Sequence, residues 1–219
     1  MIEKKDKKLF FSALFCFLGI ILIGGKFLCE LVDEDDKKKR LEAFLELQTS
    51  LKDSQFATSI GKTTEANTKE GQDGVATLEA LEESPNDYVA VIRIPKLGLE
   101  KGLCAKDTSC NNISKNIEIL KESDYPDVAN GNFILAGHSG SGRIAYFREL
   151  SQLDLQDQIE IVYRGKEYRY LVVDIYEVEK NGSAKIIRNQ NQTTLTLITC
   201  KDKDDKQLVL IAEATLSRI

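Results

Sequence analysis

Cys200 closes the run Thr196-Leu197-Ile198-Thr199-Cys200, and His138 closes the run Asn132-Phe133-Ile134-Leu135-Ala136-Gly137-His138. A thiolate is a strong nucleophile, and imidazole is the side chain whose ordinary pKa suits proton transfer near neutrality. His138 is the single histidine of 219 residues, so any Cys–His chemistry must use it. Both residues end segments that read as strands, which would hold them at the rim of a sheet. Taken singly, each has a plainer reading. Free cysteine is among the most buried residue types, and a lone histidine is commonly a core residue bonded to backbone. Ser139, beside Gly140 and Gly142, reads as a turn hydroxyl, and Tyr146 and Phe147 read as core.

The elements that must position this pair lie between residue 88 and the C-terminus. Val89–Ile94, Asn132–Gly137, Gln158–Tyr163, Tyr168–Glu177, Ala184–Ile187, Thr194–Thr199 and Leu208–Ala212 are short apolar or alternating runs separated by turn residues. Leu97-Gly98-Leu99 follows the first run, and Arg164-Gly165-Lys166 reads as a hairpin turn. Regularly spaced short strands predict an all-β barrel or sandwich rather than βαβ units. Short helices are expected at Ser114–Leu120 and Ile144–Leu150. The folded domain is expected over 86–219, long enough for its own core.

Upstream the chain changes character. Leu9 to Gly25 carries no charge, and Lys26 can snorkel while Phe27, Leu28, Leu31 and Val32 extend the apolar surface. A transmembrane anchor is therefore expected over 9–32, since a helix needs roughly 17–25 apolar residues to cross. The small-x-small pattern of a cleaved signal peptide does not follow it. Lys4, Lys5, Lys7 and Lys8 in the tail at 1–8 favour an internal N-terminus, although Lys37, Lys38, Lys39 and Arg40 flank the other side. A stalk is expected over 33–85, partly helical and partly disordered. Leu41, Phe44, Leu45, Leu47 and Leu51 have helical spacing, whereas Gly61–Asp73 is polar and aperiodic.

The formal net charge of −5 gives no support to nucleic-acid binding. Of five cysteines, Cys104 and Cys110 are close enough to form a small disulfide loop in an extracellular domain, or to stand as two free thiols in a surface loop. A zinc site is disfavoured because no histidine or further cysteine lies nearby in sequence to complete the ligand set.

Three segments together resemble the sortases, cysteine transpeptidases of Gram-positive cell surfaces. Thr196–Cys200 is similar to their T-L-x-T-C strand, Asn132–Ser139 to the strand that delivers their histidine, and Arg143–Leu150 with Leu153 to the segment after it. The resemblance covers roughly residues 86–215 and implies an eight-stranded β-barrel with Cys200 and His138 as catalytic residues. It implies Thr199 and Ser139 as substrate contacts and no metal or organic cofactor. The chain departs from the pattern at the start of the last strand, where Gln207 stands in place of the family's arginine, five residues before Ala212. Gln207 is thus the candidate third catalytic residue, with Lys206, Arg143 and Arg188 as possible cation or oxyanion partners. Strand alternation puts Lys206 and Gln207 on opposite faces.

The implied reaction is cleavage of a sorting signal in surface proteins through a thioacyl-enzyme, with transfer to an amine from a peptidoglycan precursor or a pilin. The alternatives are a catalytically weak or inactive barrel that binds sorting motifs, favoured by the missing arginine, and a cysteine protease that uses water as acceptor.

Overall fold

The computed structural model describes residues 35–53, 88–180, 184–201 and 205–215. Eight strands are formed: β1 Tyr88–Ile94, β2 Leu99–Cys104, β3 Glu118–Ile119, β4 Asn132–Gly137, β5 Gln158–Tyr163, β6 Lys166–Glu179, β7 Thr194–Cys200 and β8 Lys206–Ala214. They make one sheet in the order β2-β1-β5-β6-β8-β7-β4-β3. Its two edges, β2 and β3, approach each other. Between them the Asn116 amide donates to the Gly102 carbonyl at 2.8 Å. The result is a nearly closed, eight-stranded barrel.

The period-two pattern of the strands explains the barrel interior. Ala90, Ile92 and Ile94, Phe133 and Leu135, Ile159 and Ile161, Leu195 and Leu197, and Leu208, Leu210 and Ala212 all enter one core cluster. β6 pairs with β5 along its first half and with β8 along its second. A register shift between Val172 and Asp174 marks the change of direction, as bulges do at barrel corners. The hairpin between β5 and β6 turns on Arg164 and Gly165, both left-handed at φ 48° and 73°. Such a two-residue turn matches the twist of its strands.

A helix, α1, runs over residues 35–53. Its first part carries the ion pairs Lys39–Asp35 at 2.6 Å and Lys38–Glu42 at 4.0 Å. From residue 44 it buries Phe44, Gln48 and Leu51, an i, i+4, i+7 stripe. Phe44 meets Tyr88 edge to face at 6.5 Å. The Gly165 N–H donates to Gln48 Oε1, and a Cβ on Gly165 would sit 3.0 Å from Leu51 Cβ.

Three sequence expectations are corrected. Ser114–Leu120 is not a helix: Lys115 and Asn116 both donate backbone N–H groups to Asn112 O, a turn that leads into β3. Ile117 and Ile119, two apart, both enter the core, which strand alternation satisfies and a helix does not. Ile144–Leu150 is a series of turns ending in a 3-10 turn at Leu150–Gln152. Phe147, Leu150 and Leu153 are buried at a spacing of three, the 3-10 period. Ala184–Ile187 is not a strand. The Tyr176 hydroxyl takes up its backbone, donating to Lys185 O and accepting from Ile187 N at 3.0 and 2.7 Å.

Cys104 and Cys110 are joined in a disulfide, with Cα atoms 5.9 Å apart. The expected tail at 1–8, the anchor over 9–32, the stalk beyond residue 53, and Cys16 and Cys29 lie outside the described residues. Among the described residues, no helix is long and apolar enough to cross a membrane.

Candidate active site

Among the described strands, one pairing is parallel, β4 with β7, and it builds the site. Its register runs without a break from Asn132↔Thr194 to Gly137↔Thr199. His138 is the next residue after β4 and Cys200 the last of β7, so the same register sets them side by side at strand spacing, about 4.8 Å between chains. On the other side of β7, the antiparallel register pairs Cys200 with Gln207. Directly opposed residues share a face. The sequence therefore brings His138, Cys200 and Gln207 to one end of three adjacent strands, β4, β7 and β8.

Alternation fixes which face they occupy. Leu195 and Leu197 of β7 and Leu208 and Leu210 of β8 point into the core. Cys200 and Gln207 have the opposite parity and lie on the outer face. Ile134, Ala136, Thr196, Ile198, Val209 and Ile211 share that parity and are buried without joining the core cluster. They form the floor that runs up to the site. Cys200 is free and partly exposed, and His138 and Gln207 are also partly exposed.

The hydroxyls of β7 lock the parallel pair. Asn132 Oδ1 accepts from Thr194 and Thr196 at 3.1 and 2.8 Å, and Thr199 donates to Gly137 O at 2.8 Å. Thr199, an expected substrate contact, is 4 % exposed, and its hydroxyl holds β7 on β4. Ser139 is buried in the turn after His138.

Two of the expected cations, Arg188 and Lys206, are engaged elsewhere. Arg188 donates to the carbonyls of Asn130, Asn189 and Gln192. Asn130 precedes β4, so Arg188 sits at the end of the β4–β7 pair remote from His138 and is no partner of the site. Lys206 lies on the face of β8 opposite Gln207 and pairs with Glu177 at 3.5 Å. Glu177 also takes a hydrogen bond from Lys201. Lys201 first, and then Lys206, hold the Glu177 carboxyl below the usual glutamate range. This trio braces the stem of the β7–β8 hairpin from behind, with Lys201 N–H bonded to Lys206 O at 2.9 Å. Arg143 is exposed in the loop after His138.

Sequence reasoning missed the supports of His138. Gly137 has no room for a side chain, since a Cβ there would lie 2.7 Å from the Phe147 ring. Phe147 N–H donates to His138 O at 3.0 Å. Arg148 donates to the carbonyls of Gly140 and Gly142, each at 2.9 Å. The signal available was an arginine directly after an apolar anchor, facing a glycine-rich turn.

A thiol and an imidazole on adjacent strand ends of a barrel equip a cysteine enzyme for acyl transfer. Comparison with known proteins narrows this. A family model described as the sortase domain matches residues 92–217. The chain is 26 % identical over 184 residues to Sortase D of Bacillus subtilis (strain 168), covering 83 % of each chain. It is 24 % identical over 196 residues to Sortase A of Bacillus anthracis, covering 89 % of this chain and 88 % of that one. A Clostridium perfringens Sortase D5 transpeptidase shares the fold with a TM-score of 0.58 at 22 % identity, covering 82 % of this chain and 98 % of its own. A pilus-related Sortase C of Group B Streptococcus does so at 0.55 and 17 %, covering 83 % and 92 %. The chain belongs to the sortase family and is a sortase-type cysteine transpeptidase.

Proposed function

We propose that the chain cleaves a sorting signal in surface proteins through a thioacyl-enzyme on Cys200 and passes the acyl group to an amine. The Cys200 thiolate attacks the scissile carbonyl. His138 protonates the departing amine, then takes a proton from the incoming one, which attacks the thioester and frees the thiol. Gln207, opposite Cys200, donates its amide to the carbonyl oxygen as charge develops, a role a neutral donor can fill. The acceptor amine comes from a cell-wall precursor or a pilin lysine. The observation that carries this reading is the unbroken β4–β7 register, which aligns the one histidine with the free thiol.

The setting proposed is the outer surface of the cell membrane, with residues 9–32 as a single-pass anchor and the N-terminus inside. Its support is the uncharged run from Leu9 to Gly25 and the Cys104–Cys110 disulfide, a bond that persists in oxidising compartments.

A second reading, a barrel that binds sorting motifs without turnover, draws on the neutral Gln207 at the arginine position. A thiol-reactive sorting-peptide analogue tests both. Labelling of Cys200 that disappears in His138→Ala supports the enzyme, and absence of labelling on a folded chain supports the binder. Product analysis with and without added amine separates transfer from hydrolysis.

A further inference from the structure

We infer that Arg148 is a positioning residue for His138, acting by clamping the loop that leaves it. The inference rests on the reading of His138 as the proton carrier. β4 ends at Gly137, so His138 is held on one side by the sheet and on the other by Ser139–Gly142. Ser139 is buried, but the glycine part of the loop has open space around it. A Cβ on Gly140 or on Gly142 would find no atom within 4 Å. What ties down these two glycines is the planar guanidinium of Arg148, whose Nε donates to Gly140 O and Nη2 to Gly142 O, both at 2.9 Å.

The clamp is itself anchored. Phe147, the preceding residue, is fully buried in the core. Its ring fills the space beside Gly137, and its N–H closes onto His138 O at 3.0 Å. On the far side, the Lys101 ammonium lies 4.5 Å from the centre of the Tyr146 ring, tying the same segment to β2. Arg148 thus transmits the rigidity of the core to two carbonyls two and four residues beyond His138. A fork of fixed geometry is required to reach both at once, and a lysine ammonium lacks that fork.

The single histidine makes the test direct, because a nitrogen-15-histidine-labelled full-length chain in detergent gives one imidazole spin system. In Arg148→Ala the imidazole shifts move toward those of a free side chain, and turnover of a sorting-signal peptide falls about tenfold or more, carried by kcat. Arg148→Lys falls between wild type and Arg148→Ala. Unchanged imidazole shifts with kcat within twofold of wild type overturn the inference. If Arg148→Ala does not fold, Arg148→Lys decides: intermediate shifts and kcat support the clamp, and wild-type values overturn it. A His138→Ala control separates the two claims. Full activity there removes the proton-carrier reading itself, whereas an inactive His138→Ala beside a fully active Arg148→Ala removes only the clamp.

Discussion

Cys200 and Gln207 are directly opposed on β7 and β8, which makes the Gln207 amide the cross-strand neighbour of the thiol. Gln207→Leu keeps the bulk and removes the donors. Steady-state kinetics of peptide cleavage should show kcat lowered on the order of a hundredfold with KM little changed; a value within twofold of wild type places the donor elsewhere. Glu177 has its own signature. Its carboxyl titrates below the ordinary glutamate value of 4.5 because Lys201 and Lys206 favour the charged form. Its contribution to the hairpin stem is therefore present above that value and lost as pH falls through the lowered folded value. Acid melting curves of wild type and Glu177→Gln should differ most above pH 4.5 and converge as pH falls through the lowered folded value. At this scale the sequence was informative where residue types were scarce. One histidine and one isolated cysteine could be paired on chemistry alone. The strand-holding bond of Thr199 was not legible, because a hydroxyl serves substrate or strand equally well and its partner, Gly137, lies 62 residues away.

The elements near the site depend on one close contact, between Gly137 and the Phe147 ring. Gly137→Ala forces the ring or the strand to shift, and overpacking of this kind costs about 1–3 kcal/mol. Denaturant unfolding should show that loss, and a double-mutant cycle with Phe147→Leu should show coupling between the sites. The Cys104–Cys110 disulfide closes a short loop, and a double serine replacement should lower stability by about 2 kcal/mol on chain-entropy grounds. Six of the strands were legible because alternation into a single core writes itself into the sequence, whereas β2 and the two-residue β3 were not read as strands. The turns were not legible either. Phe147, Leu150 and Leu153 look helical when counted, yet a spacing of three fits tight 3-10 turns as well. The backbone at 184–187 is claimed by the Tyr176 hydroxyl, which no local pattern reveals.

For the molecule as a whole, the decisive fact is the parallel pairing of β4 with β7. It joins segments more than fifty residues apart in sequence, and no pattern within either segment specifies it. The family resemblance supplied the expectation of a barrel, and the register explains why the barrel brings the two reactive residues together. The helix seam is a second long-range feature. Leu41, Phe44 and Leu51 announce a helix by their spacing, which gives no sign of the buried Gln48. Gln48→Ala strands a buried N–H on Gly165 and should cost about 1–3 kcal/mol in thermal or denaturant unfolding. The central claim, that one thiol carries the acyl group between donor and acceptor, is tested most directly by intact-protein mass spectrometry of the full-length chain with sorting-signal peptides. The account predicts an acyl adduct on Cys200 that added amine discharges as the joined product, absent in Cys200→Ala. Joined product formed equally well by Cys200→Ala would contradict it.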